Sequence, residues 1–163
     1  MTPQLVPRLG TLVTLSPLHK EQFMKILLAV DGSPYSKRML AYLSTHESMF
    51  SSTNSYTIFN AQPALPPRAR AAVGKEIVEK YYSDESEKVV APVSKFLLRH
   101  GINAKSVAKV GPAGAAISKF ATEGQFDLIV MGSHGHGAVL NMVMGSASNQ
   151  VLAHCKVPVL LVR

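Results

Sequence analysis

Two short segments of this 163-residue chain carry groups suited to handling an anion. The first is Asp31-Gly32-Ser33-Pro34. The second is Gly132-Ser133-His134-Gly135-His136-Gly137, followed after a short linker by Gly145-Ser146-Ala147-Ser148. Gly132, Gly135 and Gly145 let the backbone approach a ligand closely and reach conformations closed to residues with a Cβ. A helix starting after Gly145 would aim its free N–H groups, at the positive end of its dipole, toward a phosphate chain. The hydroxyls of Ser146 and Ser148 could add donors to the same oxygens. Glycine-rich loops also serve as plain turns, but a turn needs only one or two glycines. Here they follow an apolar strand and end at a helix start. Asp31 has two compatible roles, closing the local turn with its carboxylate and accepting a hydrogen bond from a ligand hydroxyl.

Other chemistries find less support. His134, His136 and His154 could be read as a metal cluster, but two histidines at i and i+2 lack a third ligand at defined spacing. No metal site is expected, and His154 is better placed to interact with the last carbonyls of a helix. Cys155 has no partner cysteine and reads as a partly buried apolar residue. The chain has no Gly-x4-Gly-Lys-Ser/Thr loop, no Gly-x-Ser-x-Gly elbow and no His-Glu-x2-His helix. Fast phosphoryl transfer needs Lys or Arg to stabilise charge, and the glycine loop offers only histidines and hydroxyls. No catalytic residue is assigned.

These segments need elements to hold them. From Met24 onward, short apolar runs rich in β-branched residues alternate with longer mixed stretches, the pattern of βαβ units and a parallel sheet. Five strands are expected, over 25–31, 55–60, 104–110, 127–132 and 157–162. Ser33-Pro34 places a capping hydroxyl before a proline at the first helical position, opening a helix through Leu43. A second helix runs from about Val73 to His100, kinked or divided at Pro92 and ended by Gly101. A third opens after Gly111-Pro112 and a fourth after Gly145-Ser146. Ala61 to Ala72, with three prolines, reads as an irregular loop. Asp127 is expected to cap its own turn, at the end of the sheet away from a ligand. The fold class is α/β, a single doubly wound, Rossmann-like parallel sheet with helices on both faces, in which ligands bind beyond the carboxyl ends of strands.

Composition sets the outer bounds. The chain is one domain in size, with 47% apolar residues to build a core. Its longest apolar runs fall far short of a bilayer span of roughly 18 residues. One cysteine gives no intramolecular disulfide, so a cytoplasmic location is the default. The net charge of +7 is scattered among acids and apolar positions, without the dense basic stripe that tracks nucleic acid. Residues 1–23 hold Pro3, Pro7 and Pro17 and lack a basic start and a cleavage site. They are expected to be a disordered extension, or the product of an upstream start codon, ahead of a domain spanning 24–163.

Gly132-x2-Gly135-x9-Gly145-Ser146, preceded by Asp127-Leu-Ile-Val-Met-Gly132 and followed by Val157-Pro-Val-Leu-Leu-Val-Arg163, resembles the nucleotide-binding signature of the universal stress protein family. Ile26-Leu-Leu-Ala-Val-Asp31-Gly-Ser33 is similar to that family's first strand, and Gly111-Pro112-Ala113 to its entry to the third helix. The resemblance covers Met24 to Arg163 and implies a sheet of order 3-2-1-4-5. It further implies a homodimer through the last strand, and ATP in the crevice with a divalent ion, Mg or Mn, held by its phosphates. By the same resemblance Ala29, Val30 and Asp31 would lie near adenine and ribose, and Ala61 would flank the base. Met131, Gly132, His134, Gly135, Gly145, Ser146, Ala147 and Ser148 would surround ribose and phosphates. Two positions depart from the family's habit: Ala61 where valine is common, and His136 where many members carry Arg or Lys. The expected role is an ATP-binding stress-response regulator that acts through a protein partner. The rival readings are a slow ATP hydrolase and a nucleotide-free dimeric interaction module.

Overall fold

The computed structural model describes residues 23–137 and 143–163. The expected N-terminal extension lies outside the described residues except for Phe23, which is exposed. Ten elements follow in chain order: β1 (Lys25–Ala29), α1 (Pro34–Thr45), β2 (Ser55–Gln62), α2 (Pro67–Val73), α3 (Lys75–Arg99), β3 (Lys105–Val110), α4 (Ala113–Glu123), β4 (Leu128–Gly132), α5 (Ser146–His154) and β5 (Val159–Val162). The strands form one sheet of order β3-β2-β1-β4-β5, and every adjacent pair is parallel. The chain winds outward from β1 through β2 to β3, then returns to β4 and β5 on the other side. The winding therefore reverses between β1 and β4, where strand ends diverge and leave a crevice.

Side-chain alternation divides the core between the two faces of the sheet. Ile26, Leu28 and Val30 of the first strand and its exit pack with Met39, Leu43, Val93 and Leu97 of α1 and α3. Leu27 and Ala29 face the other way, with Ile117, Ala121 and Val151 of α4 and α5. Near-continuous apolar strands are what a sheet covered on both faces requires. Strand β3 is the exception: as an outer strand it is mostly exposed and carries Lys105 and Lys109.

The Ser33 cap forms as expected, its hydroxyl accepting from Ser36 N–H at 3.3 Å. Gly101 has a φ of +73°, and its amide closes the end of α3 on the Leu98 carbonyl. Four expectations need correction. The proline-rich stretch is not irregular throughout, because Pro67–Val73 forms a helix with proline at its start. The helix expected from Val73 begins instead at Lys75, divided from α2 at Gly74 with φ +80°. Pro92 does not divide α3, which runs unbroken over 25 residues. It sits on an exposed position, where water can satisfy the carbonyl that loses its N–H partner. Asp127 is the fourth: its Oδ2 accepts from Lys25 N–H at 2.7 Å and so pins the start of β1 rather than its own turn.

Candidate functional site

The strand register assembles the floor of the site. Ala29 lies opposite Phe59 on one side and Met131 on the other, so three adjacent strands present one side chain each to the face under α4 and α5. Two residues further along β2, and hence on the same face, stands Ala61. Ile117 of α4 reaches the same space, and Phe59 stacks on Phe120 with ring centroids 4.9 Å apart. This end of the crevice is apolar and ringed by flat or small side chains.

The opposite end is polar. Gly145 sits at the N-cap of α5 in extended conformation, and its amide donates to Ser133 O at 2.8 Å. The first helical bond is Asn149 N–H to Gly145 O at 3.0 Å, so the amides of Ser146, Ala147 and Ser148 precede the ladder and face the N-terminal opening. The hydroxyl of Ser148 is turned inward, donating to Gly132 O at 3.2 Å and Ser133 O at 3.1 Å. It braces the glycine loop against the helix instead of projecting into the crevice, because buried carbonyls at a strand exit need donors.

Asp31 closes the front. Its Oδ1 accepts from Ser33 N–H at 2.9 Å and from the Ser36 hydroxyl at 2.7 Å, and Ser36 Oγ in turn accepts from Asp31 N–H at 3.1 Å. Burial pushes the Asp31 carboxyl up, but the hydrogen bonds from Ser33 and Ser36 and the nearby His136 outweigh it and hold the group below its ordinary value. Its other oxygen lies against Gly135, where an added Cβ would stand 2.6 Å away. His136 reaches across the loop to Asp31, and because a carbonyl can only accept, Nε2 carries the proton in that 2.8 Å bond. His134 is buried, with Nδ1 3.0 Å from the Ser133 hydroxyl and its ring 4.9 Å from that of Tyr35.

Together these groups enclose a cavity of about 230 Å³. Each of the twelve residues singled out from the sequence lines it: Ala29, Val30, Asp31, Ala61, Met131, Gly132, His134, Gly135, Gly145, Ser146, Ala147 and Ser148. Sequence reasoning missed Ser36, Phe59, Ala113 and Ile117, which line it too. Phe59 was detectable as the residue two before Ala61 on one strand, and Ile117 as the residue four after Ala113 on one helix. None of the described lining residues is Lys or Arg. Among the described residues no group of three or more His, Cys, Asp or Glu could hold a metal ion, so a divalent ion here would depend on ligands brought by a phosphate chain. Among the same residues no helix is long and apolar enough to cross a membrane.

The universal stress protein family matches residues 22–163. A universal stress protein of Thermus aquaticus is 32% identical over 149 residues, covering 86% of this chain and 99% of its own. One from Synechocystis is 28% identical over 91% of this chain, which spans only 46% of that relative's length. Among solved structures, UspA of Lactobacillus plantarum superposes with a TM-score of 0.71 at 19% identity, over 86% of this chain and 98% of that one. A family protein of Arabidopsis thaliana with AMP bound gives 0.58 at 18% identity, over 85% and 90%. The Archaeoglobus fulgidus protein in complex with dAMP gives 0.59 at 19%, over 86% and 98%. At these identities the structural likeness establishes the fold.

Proposed function

The chain belongs to the universal stress protein family, and from that premise we propose that it is an ATP-binding regulatory module of the stress response. The observation that carries this reading is the polarity of one cavity. It has an apolar end at Phe59, Ala61 and Ile117, a carboxylate at Asp31, and the open N-terminus of α5 behind Gly145. A flat base suits the first, a sugar hydroxyl the second and a phosphate chain the third. AMP and dAMP in the Arabidopsis and Archaeoglobus proteins support the adenine part of the ligand. The triphosphate and its Mg or Mn rest on the glycine loop, with the ion held by phosphate oxygens.

Binding itself is the function proposed, with the ligand changing the surface around Gly135 and Gly145 that a protein partner reads. Hydrolysis is slow at most, since none of the described lining residues is the Lys or Arg that stabilises a transferring phosphoryl group. The single cysteine favours the cytoplasm. Strand β5 ends the sheet with Val159, Leu160 and Leu161 only half-buried, which supports a homodimer formed through it.

The test is to denature the purified protein and identify any released nucleotide by chromatography and mass spectrometry, then titrate the stripped protein with ATP and magnesium. Near-stoichiometric ATP or ADP, with saturable rebinding, is expected. Neither release nor rebinding would overturn the reading in favour of a nucleotide-free interaction module.

A further inference from the structure

Beside the nucleotide cavity lies a second recess of about 290 Å³, walled by Pro63, Ala64, Gly111 and Pro112. Ala61 and Ala113 line both spaces, so the side chains common to the two are single methyl groups. The two spaces meet at Ala61, near the end of β2, and Ala113, at the start of α4, and no residue of α5 lines the recess. Its described lining residues carry no charged side chain and no side-chain donor or acceptor.

The walls are built, not slack. Gly111 N–H donates to Gln62 O at 2.8 Å, joining the exits of β2 and β3. Leu65 N–H donates to the Tyr82 hydroxyl at 2.7 Å, and Gln62 Nε2 to Tyr82 O at 3.2 Å, fastening the loop to α3. Pro63 and Pro112 fix the backbone on either side. An apolar space of this kind, preformed and already facing water, gains free energy when a hydrocarbon group displaces that water.

We propose that the recess receives an apolar substituent carried on the base of the bound nucleotide. The ligand class is then an adenine nucleotide with an alkyl or aryl group on its base. This rests on the nucleotide reading above: the base must lie at the apolar end, by Ala61, for its substituent to pass the two alanine methyls.

The test compares ATP with N6-methyl-, N6-butyl- and N6-benzyl-ATP by titration of the stripped protein and of Ala64→Trp. Ala64 is exposed, lines the recess and does not line the cavity, so Trp at this position adds bulk at the recess and none in the site for ATP. Affinity is expected to rise along the series, with the benzyl derivative about tenfold tighter than ATP, as burial of roughly two methylenes would give. Ala64→Trp should erase that gain and keep ATP affinity. ATP binding with the substituted nucleotides rejected, or a gain that survives Ala64→Trp, overturns this inference and leaves the nucleotide site standing. If no member of the series binds, not even ATP, both readings fall together.

Discussion

Asp31 does two jobs with one carboxylate: Oδ1 is committed to Ser33 and Ser36, and Oδ2 is left facing Gly135. Folding holds the carboxyl below its ordinary 3.8, so its contribution to stability is present above about pH 4 and lost as pH falls through the lower folded value. Asp31→Asn should lower the melting temperature at neutral pH, and the gap from the wild type should close on acidification toward about pH 2. A gap that stays constant would mean the charge contributes nothing to the fold. Gly145 is the other decisive position. An added Cβ would lie 3.1 Å from His134 Cα and 3.4 Å from Ser133 O, tight contacts with backbone at the opening of α5. Gly145→Val should abolish ATP binding in a calorimetric titration and lower the melting temperature by a few degrees, while circular dichroism still shows a folded domain. Normal affinity in this variant would remove the helix opening from the site. Asp31 and the glycines were legible because their types are constrained by backbone and charge. Ser36 was not, because a serine in the first turn of a helix is also an ordinary capping-box neighbour, and only the folded turn shows its hydroxyl on Asp31.

Among the elements, α5 depends on the glycine loop as much as the loop depends on it. The Ser148 hydroxyl holds two buried carbonyls at the exit of β4, and Gly145 N–H holds Ser133 O from the other side. Ser148→Ala leaves those carbonyls with a lost donor and should cost about 1–2 kcal/mol in urea unfolding. It should also weaken ATP binding, since the loop loses its register against the helix; unchanged values of both would show that the brace is idle. The five parallel strands and the order in which helices separate them were readable from apolar periodicity, and the refined strand ends differ by a few residues. The region from Ala61 to Gly74 was not. Three prolines argue for irregularity, yet Pro66 and Pro67 stand at a helix start, where proline is tolerated. Pro92 misleads in the opposite sense, because its cost depends on whether the freed carbonyl meets water, a property of the packed helix and not of the sequence.

At the scale of the whole molecule, the sheet has two edges of different character. The β3 edge is polar and carries lysines, which discourage pairing, whereas the β5 edge is apolar and short. The bonds from Ile129 N–H to Pro158 O and Ser133 N–H to Val162 O show that even-numbered residues of β5 face β4, so the amide of Leu161 faces outward. The protein should therefore run as a dimer in light scattering. Leu161→Pro removes an outward donor that the fold itself does not use and should give a folded monomer. A wild-type monomer at micromolar concentration would refute the pairing.

The same Ser133 amide that holds Val162 belongs to a residue whose carbonyl receives Gly145, so two hydrogen bonds connect the outer strand to the mouth of α5. If copies pair through β5 and the cavity takes a nucleotide, as proposed, both events draw on one stretch of backbone and thermodynamic reciprocity applies to them. Whatever factor a second copy adds to nucleotide affinity, the nucleotide must add to the association of the copies. A cell's adenylate level would then be reported as the balance between single and paired chains.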